Sequence, residues 1–354
     1  MTPYFSKKYR DLDPYVPGEQ PKERKYIKLN TNESPFAPPE SVVRAAAAEA
    51  GRLQLYPAPE PKELSEKFAS SVGASPDEVI AVNGSDEILN FAFMAFCDAD
   101  HPAVFPDITY GFYEVFAKLA GVPAKTVPLR DDFAVDVDAI CAERGTLFIA
   151  NPNAPTGIAL PLCVIERIVA SDPSRVVVVD EAYCDFGGES AVPLIKKYPN
   201  LLVTQTFSKS RSMAGARLGF GIACRELIGD LNTIKYSTNP YNVNRMTQAA
   251  GCAMLDEADY TARCCAAICE NRKYLTGRLR ELGFTMTPSL ANFVFARHES
   301  IPGERVYSEL KSRGVLVRHF SSERIKDYCR ITVGDRDEID ALCEKIKEIQ
   351  EAEL

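Results

Sequence analysis

The stretch RVVVVDEAY, residues 175–183, decides the fold. Four consecutive valines, Val176 to Val179, leave no polar face. The segment therefore reads as a strand covered on both sides, as in a parallel sheet between helices, rather than a half-exposed antiparallel one. Short apolar runs of the same kind lie before and after it: EVIAVNG (78–84), PAVFPD (102–107), TLFIANP (146–152), NLLVTQTF (200–207) and LGFGIAC (218–224). Between them, SDEILNFAFMAFCD (85–98) and TYGFYEVFAKLAG (109–121) have helical spacing, the first with Ser85 and Asp86 available as N-cap residues. The alternation predicts an α/β fold: a mixed, mostly parallel open sheet flanked by helices.

From about residue 246 the texture changes. A long helical stretch through 263–283, strand-like NFVFAR (292–297) and YCRITVG (328–334), and a final amphipathic helix from residue 337 predict a smaller α+β domain. The expected division is an N-terminal arm with part of the small domain (1–40), a large domain (41–245) and a small C-terminal domain (246–354). The arm is rich in proline and aromatics, and Tyr4, Phe5, Tyr9 and Tyr15 suggest a strap over a site rather than a loose tail.

Composition narrows the function by exclusion. The chain has 354 residues, 46% of them hydrophobic and 25% charged, as expected of a soluble globular protein. Its net charge of -8 comes with no Lys/Arg block, which argues against a nucleic-acid partner. There is no apolar leader and no run of about 18 apolar residues, so no membrane association and a cytoplasmic location are expected. Eleven cysteines in that setting suggest reduced thiols, and the three histidines make no zinc-ligand spacing, so no metal is expected. Walker A, Gly-x-Ser-x-Gly and Gly-x-Gly-x-x-Gly patterns in the right context are missing, which removes the commonest NTPase, hydrolase and dinucleotide readings.

In an open α/β sheet, ligands bind beyond the carboxyl ends of the strands. The residues there are Gly84, Ser85 and Asp86; the run Asn151 to Gly157; Asp180 to Tyr183; and Ser208 with Lys209. Ser85 and Asp86 open a helix, which suits either a plain N-cap or a phosphate. Asp180 emerges from a buried strand and either caps the next helix or faces a cationic partner such as a protonated ring nitrogen. Lys209, in TFSKSRSMAGARLGF (206–220), follows an apolar run and has Arg211 and Arg217 nearby. Apolar packing and cationic neighbours are what lower a lysine pKa and make its amine nucleophilic. Tyr110 and Tyr183, taken singly, read first as packing tyrosines and second as partners of a planar ligand.

Taken together, NPNAPTG, DEAY, and SKSRSMAGARLGF with an arginine eight residues after the lysine resemble the fold-type I (class I/II) pyridoxal-phosphate-dependent aminotransferases. LNTNESPF, LYPAPEP, GSDE, DITYGFY and CRITVG narrow the likeness to the histidinol-phosphate aminotransferase group, over Asn32 to Gly334. The resemblance implies pyridoxal 5'-phosphate as cofactor, with the large domain binding it, and ping-pong exchange between an amino donor and a 2-oxo acid acceptor. The implied pair is histidinol phosphate with 2-oxoglutarate, in histidine biosynthesis. An aromatic or broad-range aminotransferase and a threonine-phosphate decarboxylase-like enzyme are the near alternatives.

By the same matching, Lys209 is the Schiff-base lysine and proton shuttle, and Asp180 pairs with the pyridine nitrogen. Tyr183 contacts the phenolic oxygen and Tyr110 lies on the ring face. The Ser85 and Asp86 amides, the Ser208 hydroxyl and the Arg217 guanidinium form the phosphate cup, to which only Arg217 of the two loop arginines matches. Tyr56 reaches that phosphate from the partner subunit of a homodimer. Arg330 anchors the substrate carboxylate, Arg318 and the arm residue Tyr15 lie on the substrate-phosphate side, and Asn32 belongs to the substrate site. One departure stands out. The family's usual loop has asparagine just before Pro-Thr-Gly, where this chain has Ala154, so either Asn153 or Tyr183 with a water must serve the cofactor oxygen.

Overall fold

In the computed structural model, which describes residues 2–10 and 12–352, the valine run is the middle strand of a seven-stranded sheet. In chain order the strands are β1 Ile27–Lys28, β2 Val79–Val82, β3 Ala103–Pro106, β4 Ala124–Val127, β5 Thr146–Ala150, β6 Val177–Asp180, β7 Leu201–Thr206, β8 Gly219–Ala223, β9 Phe284–Met286, β10 Phe293–His298, β11 Val315–Leu316, β12 Arg318–His319 and β13 Tyr328–Thr332. The large sheet runs β2-β8-β7-β6-β5-β3-β4, and β8 alone is antiparallel to its neighbours.

The helices are α1 Glu40–Ala50, α2 Lys62–Val72, α3 Ser85–Phe96, α4 Phe112–Ala120, α5 Val137–Ala142, α6 Leu162–Ala170, α7 Arg225–Thr238, α8 Arg245–Leu255, α9 Ala258–Glu281, α10 Gly303–Ser312 and α11 Arg336–Glu351. Alternate residues of a strand face opposite sides, and the valine run uses both. Val177 and Val179 join Leu147, Ile149, Leu201 and Val203 in a core closed by α1, α2, α5, α6 and α8. Val178 joins Phe148 and Leu202 in a second core, closed by α3, α4 and α7. Each fully buried valine contributes about 1.5–3 kcal/mol of transfer free energy, which is why a run with no polar face is stable only between two helical layers.

Strand β4, AKTV, is an edge strand with three exposed residues. Lacking an apolar run, it carries no strand signal and is absent from the strands read in the sequence. Strand β8 has a larger consequence. Because it runs back beside β7, the segment between Thr206 and Gly219 begins and ends at the same edge of the sheet. Ser208 and Arg217, nine positions apart, are therefore neighbours in space, with the Arg217 Nη1 donating to Ser208 Oγ at 3.1 Å.

The second sheet, β12-β13-β10-β9, is antiparallel throughout and packs with α9, α10 and α11 around Leu275, Phe293, Ile331, Leu342 and Ile346. The N-terminal segment is woven into it. β1 pairs parallel with β11, and the Leu29 carbonyl accepts the Thr332 N–H at 2.9 Å. That pairing carries the next residues, Asn30 to Asn32, to the carboxyl edge of the large sheet.

Candidate active site

Every parallel strand of the large sheet except β4 delivers at least one residue to a single pocket that opens to solvent at the carboxyl edge. At its floor is Asp180, the last residue of β6. The carboxylate is buried and accepts from the Ala182 N–H, the Thr204 hydroxyl and the Tyr113 hydroxyl, each at 3.2 Å. Burial pushes its pKa up to about 6, with the three donors holding it from rising further. The in-register pairing of β6 with β7 sets Thr204 opposite Asp180, and Tyr113 lies one helical turn beyond Tyr110.

Lys209 stands where the chain leaves β7. Its Nζ donates to the Thr31 carbonyl at 3.1 Å and sits 5.8 Å from the centre of the Tyr183 ring. Burial, and next the Arg330 guanidinium, lower its pKa to about 8, against the opposing pull of Asp86 and Glu33. About a tenth of the amine is therefore free at pH 7, far more than for an ordinary lysine, as a nucleophile or base requires.

Beside the lysine is a cradle of donors. Gly84, at φ 74°, turns the chain into the first turn of α3, where Ser85 and Asp86 lead with N–H groups that no helical carbonyl can satisfy. Arg217, itself left-handed at φ 57°, reaches across to Ser208 and to Asp86 Oδ2 at 3.2 Å. Two glycines allow these parts to pack this closely. A Cβ on Gly84 would lie 2.5 Å from Arg217 Nη2, and one on Gly219 would lie 2.7 Å from the Ser85 nitrogen. Tyr110 donates to Asp86 Oδ1 at 2.7 Å and presents its ring to the pocket.

The opposite wall is cationic. Arg318 and Arg330 face each other directly across β12 and β13, an arrangement that is unfavourable for like charges without an anion between them. Arg330 spends Nη2 on the Asn30 carbonyl at 3.0 Å, while its buried Nε has no partner. Burial lowers its pKa, and Arg318 adds to that. Arg318 is held by the arm, donating to the carbonyls of Val16 at 3.0 Å and Pro17 at 3.3 Å. Tyr15 stacks on Phe112 at 4.1 Å and lines the pocket, so this part of the arm lies over the site as a strap.

Thus Tyr15, Asn32, Ser85, Asp86, Tyr110, Asp180, Tyr183, Ser208, Lys209, Arg217, Arg318 and Arg330, all singled out in the sequence, line one pocket. Asn153 does not. Its amide donates to the Ile108 carbonyl and Thr156 Oγ1, each at 3.0 Å, and accepts from Thr109 Oγ1, while Ala154 lines the pocket instead. Tyr56 is also remote, 77% exposed and stacked on Tyr241 at 4.6 Å. Arg211 pairs with Asp185 at 2.9 Å and lies over the Phe207 ring, clamping the loop rather than entering the site. Sequence reasoning missed Thr204, Tyr113, and the carbonyls of Asn30 and Thr31. The first two were readable from strand register and helical spacing; a backbone carbonyl leaves no mark in the side-chain pattern. Among the described residues no cluster suited to a metal ion occurs, and no helix is long and apolar enough to cross a membrane.

The sequence profile of the family "Aminotransferase class I and II" matches residues 24–346. A histidinol-phosphate aminotransferase of Dechloromonas aromatica (strain RCB) is 46% identical over 354 residues, covering 99% of each chain. One from Clostridium botulinum (strain Okra) is 43% identical over 350 residues, again covering 99% of each. Among solved structures, the histidinol-phosphate aminotransferase of Sinorhizobium meliloti in complex with pyridoxal-5'-phosphate superposes with a TM-score of 0.88 at 26% identity, over 99% of both chains.

Proposed function

The chain belongs to the class I and II aminotransferase family, and from that premise we propose that it is a pyridoxal-phosphate-dependent aminotransferase exchanging the amino group of histidinol phosphate with 2-oxoglutarate. The observation that carries the reading is the position of Lys209 between a buried carboxylate and the Ser85/Asp86/Ser208/Arg217 cradle, in a pocket shared with two arginines that form no direct ion pair with a carboxylate among the described residues.

The residues fit the cofactor group by group. Asp180 would hold the ring nitrogen protonated. Ser85, Asp86, Ser208 and Arg217 would hold the phosphate, brought together by the close packing that Gly84 and Gly219 allow. Lys209 offers the amine for the aldehyde, Tyr183 a hydroxyl for the phenolic oxygen, and Tyr110 a ring face. When bound, pyridoxal phosphate supplies a conjugated cation that accepts the electron pair released as a bond at the substrate carbon breaks. Lys209 Nζ, with its pKa near 8, takes the proton from that carbon and holds it in the pocket until it is returned. Asp180 remains the counter-charge to the ring.

Histidinol phosphate carries a phosphate and no carboxylate, so its anionic end needs strong cations rather than a single carboxylate clamp. Arg318 and Arg330 meet that need and would also take a carboxylate of glutamate or 2-oxoglutarate. Tyr15, stacked on Phe112, limits water at the same end. We further infer a homodimer. Tyr56 is exposed beside Tyr241, Leu53 and Leu55 and makes no contact with its own pocket, as befits a residue that completes the cradle of a partner subunit. The same reading divides the chain into arm (1–40), cofactor domain (41–245) and small domain (246–354).

The test is steady-state turnover with histidinol phosphate and 2-oxoglutarate, following glutamate. The expected kcat/KM exceeds those for tyrosine and phenylalanine, with no release of CO₂. Preference for the aromatic donors, or CO₂ release without a keto product, would sink the substrate assignment.

A further inference from the structure

Three consecutive residues touch three different groups of the pocket. The Asn30 carbonyl accepts from Arg330, the Thr31 carbonyl accepts from Lys209, and Asn32 Nδ2 donates to the Tyr183 hydroxyl at 3.0 Å. The first two contacts are made by backbone and do not depend on the side chain. The third does. Asn32 is 1% exposed and left-handed at φ 55°, a conformation asparagine tolerates better than most residues. Its backbone is fixed on both sides: its N–H donates to Thr332 Oγ1 at 3.0 Å, and its carbonyl accepts from Asn292 Nδ2 at 3.0 Å.

The direction of the chain of hydrogen bonds follows from counting protons. The buried Thr332 hydroxyl already accepts from the Asn32 N–H, and its own proton goes to Asn32 Oδ1 at 3.1 Å, its acceptor among the described residues. A reversed amide would leave that proton unmatched in a buried site, which is unfavourable. Oδ1 is thereby held toward Thr332 and Nδ2 toward Tyr183. The Tyr183 oxygen receives one proton from Asn32, and its own single proton is left to point into the pocket. Burial raises the Tyr183 pKa, so that proton is retained at neutral pH.

We propose that Asn32, oriented by Thr332, is a positioning residue that fixes Tyr183 as a hydrogen-bond donor toward the ligand oxygen in the pocket. Ala154 lines the same pocket, and its methyl side chain offers no donor to share the task. The inference rests on the pyridoxal phosphate reading of the site, where that oxygen is the phenolic one. It assigns Asn32 to the cofactor, through Tyr183, rather than to the substrate.

The experiment is a double-mutant cycle in which pyridoxal 5'-phosphate is titrated into the apoprotein and followed by its visible absorbance. Asn32→Asp keeps the shape and the left-handed backbone but accepts the Tyr183 proton, turning it away from the pocket. Measured against native Tyr183, this change is expected to weaken cofactor affinity by about 10-fold more than when measured against Tyr183→Phe, one charge-assisted hydrogen bond. The comparison cancels the effect of the added charge. The pH midpoint of the bound cofactor's absorbance should show the same coupling, which a merely structural role would not produce. Thr332→Val, neutral and suited to a strand, should couple to Tyr183 in the same sense and serves if Asn32→Asp does not fold. Additive effects of these variants with Tyr183→Phe on affinity and on the pH midpoint would overturn the proposal while leaving the cofactor site intact. Failure of the native apoprotein to take up the cofactor would instead overturn the site reading and the inference with it.

Discussion

Arg330→Met should separate stability from function. In the native chain the Arg330 side chain is half-buried with its Nε enclosed and unpartnered, and Arg318 stands directly opposite. Removing the guanidinium relieves a cross-strand like-charge contact of about 0.2–1 kcal/mol and a larger charge-burial penalty. Against that stands the lost bond to the Asn30 carbonyl, about 1 kcal/mol. The net expectation is an apoprotein as stable as the native one or more stable by about 1 kcal/mol, a rise in Tm of about 2 °C. Function moves the other way. Loss of a charged grip on the substrate anion, about 3 kcal/mol, lowers kcat/KM for histidinol phosphate by about 100-fold. Thermal melting of the apoprotein with and without inorganic phosphate, together with steady-state kinetics, measures both: phosphate should raise the native Tm more than that of the variant. A variant that melts well below native while keeping its kcat/KM would show that Arg330 is a structural strand residue, and would refute the reasoning.

Asp180 gives a pH test. Burial raises its folded pKa above the unfolded value, so the folded state binds the extra proton and apoprotein stability from this group falls as pH rises from about 4 through about 6. Asp180→Asn should therefore be stabilising relative to native at pH 8 by up to a few kcal/mol, with the advantage shrinking toward pH 4, while turnover drops by about 10³-fold or more; equal stability differences at both pH values would contradict this. Gly84→Ala places a Cβ 2.5 Å from Arg217 Nη2 at a φ of 74° and should weaken pyridoxal phosphate affinity by about 10-fold or more, with a loss of stability of about 1–2 kcal/mol in chemical denaturation. Unchanged affinity in that variant would mean that the cradle does not hold the phosphate.

The legibility of the sequence tracked the strength of its physical signals. The valine run could only be a strand buried on both faces, and with its neighbours it made the large sheet legible. AKTV was not legible because an exposed edge strand has no need of an apolar run. Ser85, Asp86, Tyr110, Asp180, Tyr183, Ser208 and Lys209 could be gathered because strand ends in an open α/β sheet converge on one edge, whereas Tyr15, Asn32, Arg318 and Arg330 come from the arm and the second sheet and were reached only through the family resemblance. Asn153 was the reasonable substitute for a missing asparagine at Ala154, yet its amide is consumed by Thr156 of its own loop and by the Ile108 carbonyl of the loop after β3. The carbonyls of Asn30 and Thr31 were invisible for a different reason. Their identity is irrelevant to the contact, and only the pairing of β1 with β11 brings them to Lys209 and Arg330.

The central claim is that Lys209 is the amine that holds the cofactor. Borohydride reduction of the protein in the presence of pyridoxal phosphate, with peptide mass mapping afterwards, addresses it without relying on turnover. The expected result is one reduced adduct per chain, on Lys209, and its disappearance in Lys209→Ala. An adduct on another lysine in the native protein, or no adduct at all, would contradict the account.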